Sequence, residues 1–150
     1  CKYPPVGLRG IAGSPRAAGF GRDTAAYLKR ANDEVLVILQ VETLQAIENL
    51  DEIGKVPGVD ALFIGPMDLS TSMGHLGNPA HPEVQAAIAT VEAKAKALGM
   101  PLGTISASWE QAKALYDRGY QLVTLLSDVI LLSKVSADAL AKFREAFPEG

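Results

Sequence analysis

The chain has 150 residues, of which 48% are hydrophobic and 21% are charged, a mixture typical of globular proteins. Its formal net charge of -3 argues against a nucleic-acid-binding protein, which would carry a basic face. No apolar run approaches the roughly 20 residues of a membrane span, and the single cysteine, Cys1, fits a reducing cytoplasm.

The first segment, residues 1–22, is rich in glycine and proline and is predicted to be an ordered loop. The chain opens without an initiator methionine, inside a proline-rich stretch and without the apolar core of a signal peptide. We therefore expect it to be a fragment or a trimmed product of a longer protein. A short helix is predicted at residues 24–31.

After this segment, short apolar runs alternate with amphipathic stretches. Runs of strand length without internal polar residues are typical of strands that are buried on both faces. Pro82, at a first helical position, and Gly99, after a stretch of helical period, mark the ends of one helix. The pattern predicts strands at 35–39, 61–64, 102–105 and 122–126, with helical segments at 46–53, 82–98, 110–117 and 129–147.

This alternation predicts an α/β fold with a parallel sheet of about four βα units. A closed (β/α)₈ barrel takes about 250 residues, so the sequence leaves two interpretations, a small open α/β sheet or half of a barrel. The sequence contains neither a G-x-G-x-x-G motif nor a Walker motif, and therefore gives no support to a nucleotide-binding sheet.

Two carboxylates follow adjacent predicted strands. Glu42 comes after the first strand and Asp68 after the second, and neighbouring strands lie about 4.8 Å apart. Carboxylates this close repel each other unless a proton or a cation lies between them, and oxygen ligands suit Mg²⁺ or Mn²⁺. In the alternative interpretation Glu42 caps the following helix and Asp68 stabilises a turn.

A divalent cation with open positions can bind a 2-keto acid and stabilise its enolate as a Lewis acid. Pro66 lacks an N–H group, so backbone donors to the substrate carboxylate could come only from Met67 and Asp68, with Gly65 allowing close approach.

Other polar residues receive structural interpretations. His75 and His81 lie in a Gly/Asn/Pro loop, where a structural or surface role is favoured over catalysis. Asp128 is expected to cap the last helix, and Arg9 either fixes a loop or binds an anion. The last helix, 129–147, carries too many apolar residues for one face, so we expect burial against a barrel and a partner subunit.

The sequence resembles the class II pyruvate aldolases that cleave 4-hydroxy-2-oxo acids, including the 4-hydroxy-2-oxoheptanedioate and 2-keto-3-deoxy-sugar-acid aldolases. The resemblance covers nearly the whole chain. The matching stretches are residues 3–10 (YPPVGLRG), 40–43 (QVET), 58–70 (GVDALFIGPMDLS) and 73–84 (MGHLGNPAHPEV).

This resemblance implies that residues 1–150 are a single partial domain, the C-terminal half of a TIM (β/α)₈ barrel of the pyruvate/phosphoenolpyruvate-binding type. It implies retro-aldol cleavage of a 4-hydroxy-2-oxo acid to pyruvate and an aldehyde through a metal-stabilised pyruvate enolate. Family members are usually homo-oligomers, often hexamers. The partners implied are a small 2-keto acid and an aldehyde, with neither nucleic acid nor membrane.

The resemblance also assigns site residues. Glu42 and Asp68 become the ligands of a divalent cation, Mg²⁺ or Mn²⁺ with Co²⁺ as a further candidate. Gln40 contacts the bound keto acid, and Ile105 lines the substrate pocket. Met67 stands where the family has a small residue whose backbone N–H binds the substrate carboxylate, next to Gly65.

The general base of the family, a histidine paired with an aspartate, and its arginine come from the first half of the barrel. No catalytic residue is therefore assigned to this chain, and we expect residues 1–150 alone to lack full aldolase activity. Two alternatives remain open, a lyase like those that act on citryl or malyl thioesters, and a non-catalytic half-barrel that serves as an assembly or binding module. The aldehyde and the choice of metal also stay open.

Overall fold

The computed structural model describes residues 1–148. A short 3₁₀ segment, Arg16–Gly21, precedes four strands and seven helices in that part of the chain. In chain order these are α1 (Thr24–Glu34), β1 (Ile38–Val41), α2 (Leu44–Glu48), α3 (Leu50–Ile53), β2 (Ala61–Ile64), α4 (Pro66–Ser72), α5 (Pro82–Leu98), β3 (Leu102–Ile105), α6 (Trp109–Asp117), β4 (Leu122–Thr124) and α7 (Asp128–Ala146).

The four strands form one parallel sheet in the order β1-β2-β3-β4. Each strand pairs with its successor in sequence, and parallel crossovers of uniform right hand place the connecting helices on one face. A doubly wound sheet would instead reverse its strand order at a switch point. The observed order confirms the predicted α/β fold and is that of consecutive units in a (β/α)₈ barrel.

The hydrophobic core lies between this sheet and its helices. α5 contributes a stripe at helical spacing, and it is bounded by Pro82 in its first turn and by Gly99, which adopts a left-handed conformation (φ 65°). This helix was predicted correctly. The core residues from strands and helices include Val41, Leu50, Leu62, Ile64, Leu69, Val84, Ile88 and Val91.

The opposite face of the sheet is largely bare. Its apolar side chains include Ile38, Ile105 and Leu122, which are between 36% and 49% exposed. A sheet normally buries its apolar face against another layer. The bare face is the one that points to the interior of a (β/α)₈ barrel, because the helices surround the sheet on the outside.

The N-terminal segment is held against α1. The side chain of Asn32 accepts a hydrogen bond from the backbone N–H of Tyr3 at 2.6 Å and donates one to the backbone carbonyl of Tyr3 at 3.1 Å. The Arg9 guanidinium lies over the Tyr3 ring, 4.5 Å from its centroid, and donates to the Tyr27 hydroxyl at 2.9 Å. These contacts support the interpretation of Arg9 as a residue that fixes the loop.

Some predicted boundaries were wrong. The first strand was predicted at 35–39, but Val35 ends α1 through its N–H, which donates to the carbonyl of Ala31. Extended pairing starts only at Ile38. The last strand ends at Thr124 instead of residue 126, and helix α4 was not predicted.

The burial expected for the last helix is against a complete barrel and a partner subunit, and it stays a prediction. No residue of α7 is buried within the described part of the chain. The helix is capped by Ser127, whose hydroxyl accepts a hydrogen bond from the N–H of Ile130 at 3.3 Å. Asp128, the predicted cap, accepts instead from the N–H of Val129. Across residues 1–148, every helix is too short or too polar to cross a lipid bilayer.

Candidate metal centre at the strand ends

The carboxyl ends of the strands meet at one edge of the sheet. Val41 and Ile64 are paired at the ends of β1 and β2. The next residues, Glu42 and Gly65, therefore face each other across this edge. The N–H of Gly65 donates to the carbonyl of Val41 at 3.4 Å, so the pairing of the two strands continues to the positions of Glu42 and Gly65.

The side chain of Glu42 lies directly over Gly65. A Cβ atom at position 65 would stand 2.8 Å from Oε1 and 2.9 Å from Cγ of Glu42, closer than atoms pack without displacement. The sequence assigned Gly65 to close approach of the substrate. The structure shows that this glycine makes room for the half-buried carboxylate of Glu42.

The predicted substrate residues share a face with Glu42. Side chains alternate along a strand, and Val41 points into the helix-covered core. Gln40 and Glu42 therefore point to the bare face. Ile105 lies on the same bare face at the end of β3 and is half exposed, two strand spacings or about 10 Å from β1.

The other predicted ligand lies in a helix. Gly65 is the N-cap of α4, Pro66 is its first residue, and Asp68 falls in its first turn. The first hydrogen bond of the helix runs from the N–H of Leu69 to the carbonyl of Gly65 at 2.9 Å. The preceding N–H groups of Met67 and Asp68 are those that a helix leaves without a partner of its own.

Asp68 and Met67 are both exposed, at the same sheet edge as Glu42 and about one helical turn beyond Gly65. Met67 and Ile105 border one open cavity of about 500 Å³. The remaining walls of this cavity come from α5, α6, the ends of β2, β3 and β4, the first turn of α7 and the loops between them, and Glu42 is not part of them. Glu42 therefore packs against Gly65, whereas Met67 lies beside the cavity that Ile105 also borders.

The alternative interpretation of Glu42 as a helix cap is wrong. Thr43 caps α2, because its hydroxyl accepts a hydrogen bond from the N–H of Ala46 at 3.0 Å. Among the ion pairs within residues 1–148, none involves Glu42 or Asp68. The carboxylates of Glu42 and Asp68 are both accessible and lie near Gly65. They form a set of oxygen donors that fits a hard divalent cation.

A second cluster received only a structural interpretation from the sequence. His75, His81 and Glu83 place one ligand atom each within 4.8 Å of one another. The signal available in the sequence was the spacing His-x₅-His-x-Glu, which brings the second histidine and the glutamate to the start of the helix that begins at Pro82.

Comparison with known proteins gives concordant results. A family model described as HpcH/HpaI aldolase/citrate lyase matches residues 1–134. A solved structure of an HpcH/HpaI aldolase/citrate lyase family protein from Burkholderia cenocepacia superposes with a TM-score of 0.79 at 41% identity. The match covers 95% of this chain and 57% of that one.

Three relatives are aldolases by name. The chain is 43% identical over 143 residues to a 2-dehydro-3,6-dideoxy-6-sulfogluconate aldolase of Pseudomonas putida, covering 95% of this chain and 56% of the relative. It is 45% identical over 130 residues to a hydroxypyruvate/pyruvate aldolase of Sagittula stellata (87% and 51%). It is 39% identical over 142 residues to a 4-hydroxy-2-oxo-heptane-1,7-dioate aldolase of Shigella sonnei (95% and 54%). The chain thus spans about half the length of each relative.

Proposed function

Since this chain belongs to the HpcH/HpaI aldolase/citrate lyase family, we propose that it supplies the metal-binding part of an enzyme that cleaves a 4-hydroxy-2-oxo acid into pyruvate and an aldehyde. Its relatives named as aldolases support this reaction class. Residues 1–150 then form one partial domain, the four βα units of a barrel that carry the metal ligands.

The observation that carries the proposal is the packing of Glu42 over Gly65 at the carboxyl edge of the sheet. Sites of (β/α)₈ enzymes lie at this edge, and Asp68 belongs to the next βα connection along it. In the proposal these two carboxylates hold Mg²⁺ or Mn²⁺, with Co²⁺ as a further candidate. A bound divalent cation supplies Lewis-acid stabilisation of negative charge that develops on oxygen.

The remaining residues of the edge bind and orient the keto acid. Gln40, on the same face as Glu42, contacts its polar end. The backbone N–H groups of Met67 and Asp68 receive its carboxylate beside Gly65, and Ile105 provides an apolar wall. The side chain of Met67 is larger than the small residue of the family and narrows the pocket without removing the N–H.

The proposed reaction is a retro-aldol cleavage. The C4 hydroxyl loses its proton, the C3–C4 bond breaks, and the aldehyde leaves with a new C=O bond. The electron pair of the broken bond passes into the pyruvate enolate, which is then protonated at C3. The base that moves this proton and an arginine come, by resemblance, from the other half of the barrel. We therefore assign no catalytic residue here and expect the isolated chain to lack full activity.

A thioester lyase is the second candidate, because the matching family model includes citrate lyase in its description. Both reactions pass through an enolate and can share the two carboxylates. A citryl or malyl coenzyme A thioester, offered to the protein that contains the complete barrel, distinguishes the two candidates. Turnover of the thioester but not of the 4-hydroxy-2-oxo acid would replace the first candidate by the second.

We also propose that the protein is a cytoplasmic homo-oligomer, a hexamer by resemblance. Apolar side chains on α7 support the assembly, since they are between 42% and 72% exposed within the described chain. They include Val129, Ile130, Leu131, Leu132 and Val135. Sedimentation velocity measures the assembly directly, and a monomer at all concentrations would contradict it.

Binding of Mn²⁺ tests the metal proposal without requiring turnover. Titration followed by electron paramagnetic resonance should show one Mn²⁺ site per chain. Glu42→Gln and Asp68→Asn should each weaken it at least about tenfold, because even supporting residues of metal sites contribute that much. Glu48→Gln, at an exposed glutamate of α2, is the matched control. Unchanged Mn²⁺ affinity in Glu42→Gln would refute the assignment.

A further inference from the structure

A second group of metal-ligand side chains lies in the loop between α4 and α5, away from the strand ends. His75, His81 and Glu83 each present a nitrogen or oxygen atom, and these atoms all lie within 4.8 Å of one another. Within residues 1–148 this is the one group of three or more such side chains at this spacing. None of these residues has a part in the proposed aldolase reaction.

The backbone that carries the cluster is fixed by hydrogen bonds. The N–H of His75 donates to the carbonyl of Ser70 at 2.8 Å, which attaches the loop to the last turn of α4. Asn78 donates to the carbonyl of His75 at 2.9 Å, and His81 donates to the carbonyl of Asn78 at 3.1 Å. Glu83 lies in the first turn of α5. The three side chains therefore start from positions that local structure already defines.

The side chains are also in direct contact. Nε2 of His75 lies 2.9 Å from Oε2 of Glu83, and the rings of His75 and His81 stack with centroids 3.5 Å apart. Nδ1 of His81 accepts a hydrogen bond from the N–H of Glu83 at 3.3 Å, which leaves its Nε2 for another partner.

From this geometry we propose that His75, His81 and Glu83 form a binding site for Zn²⁺, with water as the fourth ligand. Two imidazoles and one carboxylate form a ligand set that zinc accepts in tetrahedral geometry, whereas Mg²⁺ prefers oxygen ligands alone. The stacking of the two rings keeps a ligand atom of each histidine within 4.8 Å of the other and of the Glu83 carboxylate. The site differs in ligand chemistry from the pair Glu42 and Asp68.

The consequence of binding follows from the position of the loop. His75 follows α4 and Glu83 begins α5, so an ion held by both fixes the end of one helix to the start of the next. Since α4 also carries Asp68, the zinc site stabilises the element on which that carboxylate is placed. A ligand that binds only the folded chain raises its stability. The thermal midpoint should therefore rise with Zn²⁺ concentration.

The test is calorimetric titration of the purified chain with Zn²⁺ in saturating Mg²⁺, supported by the visible spectrum of the Co²⁺-loaded protein. We expect one Zn²⁺ per chain and a tetrahedral Co²⁺ spectrum. Both should persist in the double variant Glu42→Gln/Asp68→Asn. Zinc affinity should fall at least about tenfold in His75→Ala and in Glu83→Gln, since loss of a ligand costs no less than loss of a supporting residue.

Glu110→Gln is the matched control, because Glu110 lies in the first turn of α6 as Glu83 does in α5. The Glu83 side chain is 71% exposed, so its substitution leaves the core intact and the variant can be compared in the folded state. Wild-type zinc affinity in Glu83→Gln would overturn the proposal. So would zinc binding that disappears in the Glu42/Asp68 double variant but persists in His75→Ala. Either result leaves the Mn²⁺ test of the strand-end site unaffected.

Discussion

The carboxylate of Glu42 occupies the space that a side chain at Gly65 would fill, with 2.8 Å between Oε1 and the position of a Cβ atom. The two residues are 23 positions apart in sequence and are brought together by the parallel register of β1 and β2. The glycine is not required for its conformation, because its φ of -97° is open to any residue. It is required for space.

Gly65→Ala is therefore expected to change metal binding more than stability. The new methyl group meets Oε1 and Cγ of Glu42, a side chain that can rotate away as a whole, so the free energy of unfolding should change by less than about 1 kcal/mol. The displaced carboxylate should lower Mn²⁺ affinity at least about tenfold, as loss of support for a ligand does. Urea unfolding and Mn²⁺ titration on the same preparation measure both effects.

Gly10→Ala is the control for this substitution, because a Cβ atom there meets nothing within 4 Å. It should leave both stability and Mn²⁺ affinity unchanged. Wild-type Mn²⁺ affinity in Gly65→Ala would show that the observed position of Glu42 is not needed for binding, and would count against the proposed site.

Gly103→Ala, in contrast, is expected to change stability more than metal binding. Its Cβ atom would lie 2.8 Å from Cδ2 of Phe63 and 2.9 Å from the carbonyl oxygen of Leu122. The backbone of β4 cannot move as a side chain can, so overpacking should cost about 1–3 kcal/mol of unfolding free energy. Urea denaturation checks the loss. A variant as stable as Gly10→Ala would show that β3 and β4 separate more easily than their register suggests.

The sequence predicted those elements whose signals are local. Pro82, the helical stripe that follows and Gly99 define α5 almost to the residue. Helix α4 was missed because its start, Pro66, follows a glycine, and this pair is equally typical of a turn. The burial of Leu69 and Ser70 in the protein core makes the helix favourable, and such tertiary contacts are not visible in a short stretch of sequence.

The sequence likewise predicted the positions of the candidate site residues but not their packing. The positions of Glu42 and Asp68 at neighbouring strand ends follow from strand order, which the alternating pattern indicates. The packing of Glu42 on Gly65 depends on register, and a shift of one residue would turn the carboxylate to the other face. The capping role of Thr43 was overlooked because a glutamate and a threonine in succession are both plausible partners for the first turn of α2.

A partly buried hydrogen-bond network at the opposite edge of the sheet gives a pH-dependent prediction. The hydroxyl of Tyr120 donates to Oε1 of Glu92 at 2.6 Å, and the guanidinium of Arg118 contacts the same oxygen. Tyr120 is only 4% exposed. Burial, followed by the hydrogen bond to Glu92, raises the pKa of the Tyr120 hydroxyl above its ordinary value of 10.0. The phenol therefore keeps its proton in the folded chain under conditions in which the unfolded chain loses it.

The sign of the effect follows from this difference. Above pH 10 the folded state binds more protons than the unfolded state, so the contribution of Tyr120 to stability falls by up to about 1.4 kcal/mol per pH unit. Below pH 10 it is fully present. Tyr120→Phe removes this titration. Urea unfolding between pH 8 and 11 should therefore show a stability difference between wild type and variant that is constant up to about pH 10 and then changes in favour of the variant. Comparison with the variant cancels the titration of lysines common to both chains. A difference that stays constant across the whole range would mean that the Tyr120 hydroxyl titrates normally and that Glu92 does not hold its proton.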